Sequence, residues 1–135
     1  MFSSGPLSPG TPSQPPAREE LVNLAAWAGT KWKLIMLNGR EPLEGTNITM
    51  EIARGEVRGF AGCNWYTCYP AVPLNDPSNF ELTVTLQKCV EPEGVMEQEE
   101  AYIEALRTAE VFRAESDFLE FFNSSDEQTL SFMKE

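Results

Sequence analysis

Short stretches in which apolar and polar residues alternate fill most of this chain, and one long segment in its second half changes to a helical period. Lys31 to Leu37 reads as a first strand and stops at the turn pair Asn38-Gly39. Between Asn47 and Ala53, Ile48, Met50 and Ile52 alternate with polar neighbours, and Arg54-Gly55 then turns the chain into Glu56 to Ala61 as a hairpin. Cys63 to Tyr69 continues that strand or, after a bend at Gly62, begins another. Pro70, Pro73 and Pro77 mark a loop. Phe80, Leu82, Val84 and Leu86 then alternate with Glu81, Thr83 and Thr85, the pattern of a half-buried strand. Val111 to Ala114, Phe118 to Phe122 and Thr129 to Met133 complete the strand set, separated by turns at Ser116-Asp117 and Asn123 to Asp126.

From Glu93 to Glu110 the spacing is helical, with Met96, Tyr102, Ile103 and Leu106 on one face, thickened by Ala105 and Ala109. Glu97, Glu99, Glu100 and Glu104 take much of the remainder and read as a solvated face. The pattern therefore predicts a mainly β fold with one helix. The expected form is a small antiparallel β-barrel or strongly curved sheet, with the helix packed on one end or face. Residues 3–17 hold five prolines among Ser, Gly, Thr and Gln, so 1–20 is expected to be a disordered leader or tether and 21–135 a single domain. A short helix over Arg18 to Ala28 would place Leu21, Leu24, Ala25 and Ala28 on one side.

Composition narrows the chemistry. Ten basic against 21 acidic residues leave a net charge of −11, which argues against nucleic acid or an anionic membrane surface as partner. The chain has no histidine, which excludes Ser-His-Asp and Cys-His catalysis and every imidazole metal site. The helical glutamates fan around their helix, whereas Ca²⁺ needs oxygens converging from a loop. A cysteine nucleophile has only Lys88 beside Cys89, or Arg58 near Cys63, to activate it. No catalytic, metal or cofactor site is expected. Asn64, Trp65, Tyr66 and Tyr69 form the candidate ligand or surface patch, set against packing for the rings and a local backbone bracket for Asn64.

Gly59-Phe60-Ala61-Gly62-Cys63-Asn64-Trp65-Tyr66, followed by Thr85-Leu86-Gln87-Lys88-Cys89, resembles the META/HslJ domain family, whose "GxxGCNxY" strand precedes a strand ending "TxxxC". Trp32-Lys33-Leu34, Asn38-Gly39, the helix from Tyr102 to Leu106 and Leu130-Ser131-Phe132 also match, so the resemblance spans Trp27 to Met133. It implies a lipocalin-like barrel with one helix and an extracytoplasmic setting in the bacterial envelope or periplasm. Such domains often follow a lipoprotein signal, which suggests a membrane tether through an N-terminal lipid anchor, although this chain has no lipobox cysteine.

The resemblance also implies that Cys63 and Cys89 lie close and are bridged if the domain is exported. The residues themselves leave Cys68–Cys89 open. A Cys63–Cys68 bridge within one strand would have to close roughly 16 Å, where about 7 Å is the limit. The function expected from pattern and resemblance together is a non-enzymatic accessory domain with a protein partner, in envelope stress, secretion or antibiotic tolerance. Two alternatives stand beside it: a lipocalin-like binder of a small apolar ligand, with Trp65, Tyr66 or Tyr69 at the mouth, and a protease inhibitor presenting the loop from Pro70 to Pro77.

Overall fold

A computed structural model describes residues 27–53, 56–69, 81–115 and 117–135. The leader and its tether, most of the short helix from Arg18, the Arg54-Gly55 turn, Ser116, the proline loop and Phe80 lie outside these residues. The strands are β1 (Thr30–Leu37), β2 (Thr49–Ala53), β3 (Glu56–Phe60), β4 (Trp65–Tyr69) and β5 (Glu81–Val84). The helix α1 (Val95–Arg107) follows, and then β6 (Val111–Glu115), β7 (Phe118–Phe122) and β8 (Gln128–Lys134). They form one antiparallel eight-stranded sheet in the order β5-β4-β3-β2-β1-β8-β7-β6. The two ends of that order do not pair with each other among the described residues, so the curved sheet is the form adopted.

Alternation decides which face is buried. Trp32 and Leu34 of β1, Met50 and Ile52 of β2, Tyr66 and Cys68 of β4, and Phe112, Leu119, Phe121, Leu130 and Phe132 of β6–β8 all point to one side and are buried. α1 lies against that side and buries Tyr102, Ala105 and Leu106. The curvature can be read from Tyr102 alone. Its ring sits 5.4 Å from Tyr66 on β4 and 6.3 Å from Phe132 on β8. Four strand intervals separate β4 from β8, which would be roughly 19 Å in a flat sheet. The sheet curls until both strands meet the same helical side chain, and the interior is filled with side chains.

Local rules explain the ends of the elements. Asn38 (φ 52°) and Gly39 (φ 84°) form a two-residue turn with reciprocal Leu37–Arg40 backbone hydrogen bonds, the geometry that suits a hairpin's twist. Asn123 Oδ1 accepts from the N–H groups of Ser125 and Glu127 and so closes the β7–β8 turn. α1 ends at Thr108, whose N–H and hydroxyl both donate to the Glu104 carbonyl.

One helical assignment needs correction. Glu97, Glu100 and Glu104 face water, but Glu99 is only 5% exposed. It stands in line with Val95, Tyr102 and Leu106, the spacing of the buried stripe. A second correction concerns the alternating fifth strand. Leu82 and Val84 are half-buried as expected, whereas Leu86 is 91% exposed. The ladder with β4 ends at the hydrogen bond from Thr85 N–H to the Trp65 carbonyl, and beyond it the Asn64 side chain holds the backbone of Gln87 on the way to Cys89.

Candidate functional site

The bend between β3 and β4 organises one end of the sheet. Gly62 has φ 115°, a conformation that L side chains rarely adopt. The Ala61 N–H donates to the Asn64 carbonyl at 2.7 Å and tightens the bend. The consecutive N–H groups of Cys63 and Asn64 are thereby turned toward α1, making a small anion-binding concavity. Glu99 fills it. Its Oε1 accepts from Cys63 N–H at 2.9 Å and Asn64 N–H at 2.7 Å, and its Oε2 accepts from Asn64 Nδ2 at 2.6 Å.

Asn64 is saturated in both directions. Nδ2 also donates to the Gln87 carbonyl at 3.0 Å, while Oδ1 accepts from Thr85 Oγ1 at 2.8 Å and Gln87 N–H at 2.6 Å. An amide has two donors and two acceptor lone pairs, and this one uses them all. The structure joins Cys63 to Cys89 in a disulfide with Cα atoms 6.0 Å apart. The bend, the segment after β5 and the helix are thus fastened together by one carboxylate, one amide and one covalent bond.

A second polar pair lies in the core. The Tyr66 hydroxyl donates to the Thr49 carbonyl at 2.8 Å and lies 2.6 Å from the Tyr102 hydroxyl, which completes the chain as donor. Gly59 leaves room for this contact: a Cβ there would collide with the Thr49 carbonyl. Burial pushes both phenols well above their ordinary range, so they stay neutral hydrogen-bonding groups. Burial likewise raises the free thiol of Cys68 to about 12, which removes it as a thiolate nucleophile and places it out of reach of a second molecule.

The candidate patch divides by strand parity. Tyr66 is buried with its hydroxyl spent, and Asn64 is buried in the bracket, so neither contributes to a surface. Trp65 and Tyr69 point the other way and are 62% and 59% exposed. Phe60 packs on Trp65 with ring centroids 4.9 Å apart and holds its orientation. Nearby Arg58 pairs with Glu51 at 3.2 Å and Glu56 at 3.0 Å. Its hydrogen bond holds the Glu51 carboxyl below the usual carboxylate range. A shallow groove of about 280 Å³ runs here between Lys31, Glu51, Arg58 and Trp65. Trp65 and Tyr69 thus face outward while Tyr66 faces the core, so the three rings do not share one surface. A larger open groove, about 370 Å³, lies elsewhere, between residues 84–88 and α1. The protease-inhibitor loop falls outside the described residues.

Glu99 is the site residue that the sequence pattern passed over. Two signals pointed to it: a glutamate in line with the helix's apolar stripe, and adjacent N–H groups at a glycine bend that needed an acceptor. Among the described residues, no group of three or more Cys, Asp or Glu side chains converges in a way that could hold a metal ion.

The curved antiparallel sheet wrapped on one helix, with a Cys-Asn bend cross-linked to the segment after β5, defines a class of small β-rich domains. The META domain profile matches residues 23–135, and the chain belongs to the META domain family. Among solved structures, the chain is similar to a protein from Burkholderia xenovorans determined by NMR, with TM-score 0.61 and 20% identity over 100% of this chain and 97% of that one. A further NMR structure of a protein is similar at TM-score 0.58 and 17% identity, over 87% of this chain and 94% of the other. At such identities the likeness is one of fold. No curated protein matches the chain.

Proposed function

We propose that this META domain is a non-enzymatic, extracytoplasmic module that works by contact with a protein partner, in the setting of envelope stress, secretion or antibiotic tolerance. The observation that carries the reading is the two-sidedness of β4. Its inward residues lock the scaffold, while its outward residues hold Trp65 and Tyr69 in water beside Arg58. Trp, Tyr and Arg are the side chains that most often dominate protein interfaces, and an ordered ring pair loses little entropy on binding. The buried polar groups support a non-catalytic role, because Glu99 and Asn64 spend their hydrogen bonds within the bracket, and Tyr66 and Tyr102 spend theirs on each other and the Thr49 carbonyl. The Cys63–Cys89 disulfide supports an oxidising compartment.

The test is in-cell photocrosslinking from position 65, combined with thiol trapping. The expected result is a discrete crosslinked partner, lost on Tyr69→Ser, with Cys63 and Cys89 protected from alkylation until reductant is added. Losing a central aromatic anchor should weaken binding by about 2 kcal/mol or more. Free Cys63 and Cys89 thiols in intact cells would refute the compartment, and no adduct at position 65 would refute the interface.

A further inference from the structure

We infer that β5 and its extension to Lys88 form a docking strand, which takes up an extended segment of a partner protein that turns both apolar and basic side chains to the same face. This inference rests on the reading of the domain as a protein-contact module and names a second surface for it. β5 ends the sheet order, with β4 on one side and no strand on the other among the described residues. Glu81, Thr83 and Thr85 face β4: Tyr69 stands opposite Glu81, Thr67 opposite Thr83, and Thr85 N–H donates to the Trp65 carbonyl. Gln87 is turned the same way, its N–H and carbonyl taken by Asn64. Alternate residues of an antiparallel strand direct their backbone groups to opposite sides. The N–H and C=O groups of Leu82, Val84 and Leu86 therefore point to the open edge.

Among the described residues, the four-residue length of β5 is this edge's main protection. Exposed edges are normally blunted by charge, proline, a bulge or a covering element. From Leu82 to Leu86 the sequence is Leu-Thr-Val-Thr-Leu, with neither charge nor proline and with high β propensity. Leu86 is 91% exposed, and Val90 a few residues on is 85% exposed. The bracket and the disulfide hold this segment in place at Asn64 and Cys89, so the edge is already ordered before any partner arrives.

The groove beside the edge selects the partner. Val84, Met96 and Ile103 give it apolar surface, and α1 supplies Glu97 and Glu100, both exposed. Glu99 also reaches the lining, but its oxygens are engaged by Cys63 and Asn64. Lys88, at the end of the segment, is the only cation among the described lining residues. An added strand would place alternate side chains in the groove, where apolar ones meet Val84 and Ile103 and basic ones meet Glu97 and Glu100. A second copy of this chain fits poorly, since each copy carries a net charge of −11 and would bring its own groove glutamates to the contact.

The experiment uses the full 135-residue chain with its disulfide intact and a capped octapeptide, Val-Ser-Lys-Ser-Val-Ser-Lys-Ser, whose every second side chain puts Val and Lys in turn on one face. Amide resonances are followed by NMR during titration. The expected result is saturable shifts centred on Val84, Leu86 and the α1 residues Glu97 and Glu100. Affinity should fall with added salt, and Glu97→Gln with Glu100→Gln should weaken it about five-fold. The same peptide N-methylated at alternate residues, and the same peptide with Glu in place of Lys, should not bind. Leu86→Pro removes an edge N–H and should abolish binding; should that variant fail to fold, the N-methylated peptide asks the same question from the ligand side.

Equal binding of the N-methylated peptide or of the Glu-for-Lys peptide overturns the docking strand, as does the absence of shifts at millimolar peptide. Concentration-dependent dimerisation abolished by Leu86→Pro would assign the edge to a second copy and also overturn it. The titration is independent of crosslinking at Trp65. A partner captured there without peptide shifts at Val84 and Leu86 would overturn the docking strand and leave the contact function standing.

Discussion

The two ends of the sheet are stabilised by different physics. At the β1–β8–β7 end, long strands of eight and seven residues carry an aromatic core in which Phe121 and Phe132 pack at 5.9 Å and Phe132 meets Tyr102. Apolar burial and the ladder suffice there. The β4–β5 end offers a four-residue edge strand whose apolar side chains are only half-buried. There the Cys63–Cys89 bond and the Asn64–Glu99 bracket replace the missing core. A sheet end with too little apolar surface can still be ordered, provided that covalent and fully satisfied polar links bear the cost.

The largest effect should come from the apolar end. Phe132→Ala is expected to cost about 3–5 kcal/mol in denaturant titrations, as a large-to-small change at a fully buried site. A loss below about 1 kcal/mol would mean that this end is not the main core.

Replacing Cys63 and Cys89 by serine should cost about 3 kcal/mol, the chain-entropy value for a loop of this size. The comparison makes a sharper demand, because the loss should be local. Amide exchange should accelerate at Glu81 to Thr85 while β8 stays protected. Uniform acceleration across both ends would erase the distinction between them.

Glu99→Gln keeps the shape but places an amide NH₂ against N–H donors that Glu99 now satisfies. A cost of about 1–3 kcal/mol is expected from the unmatched donors, and Asn64→Gln should not restore it. A neutral Glu99→Gln would show that the bracket follows the fold without supporting it.

Cys68 offers a test by pH. Its folded value is raised by burial to about 12, so its contribution is whole below the unfolded thiol's value of about 8.5. That contribution is lost as pH rises toward the folded value. Cys68→Ala should flatten the alkaline fall in stability, and in the native protein alkylation of Cys68 should track global unfolding. Fast labelling under native conditions would mean that the inner face opens locally.

The smallest effect belongs to the outer face. Trp65→Ser or Tyr69→Ser should move stability by about half a kcal/mol or less while weakening partner capture. A large drop in melting temperature would make these rings structural.

Much of the fold was legible because strand periodicity reports burial directly. Trp32 with Leu34, Met50 with Ile52, and Leu130 with Phe132 alternate with outward residues, and the structure buries each pair. The Asn38-Gly39 and Asn123 turns were legible for the same local reason, since their conformations depend on adjacent residues alone. The split of Trp65 and Tyr69 from Tyr66 follows from parity along β4. Leu86 was misread because its pattern continues past the last residue that β4 can pair.

Among the described residues, the sequence by itself determined most strands and the helix α1; it also determined the class of chemistry that histidine's absence removes and, through the Gly-Cys-Asn motif, the family. Each is a property of neighbours along the chain or of composition. Only the tertiary structure decided that Glu99 is a buried acceptor, that Asn64 spends its whole amide on Glu99, Thr85 and Gln87, and that the open side of β5 runs beside an acidic groove. Those facts depend on groups tens of residues apart meeting in one place. A side chain's burial follows from local period, but the partner that satisfies it is chosen by how the sheet curls.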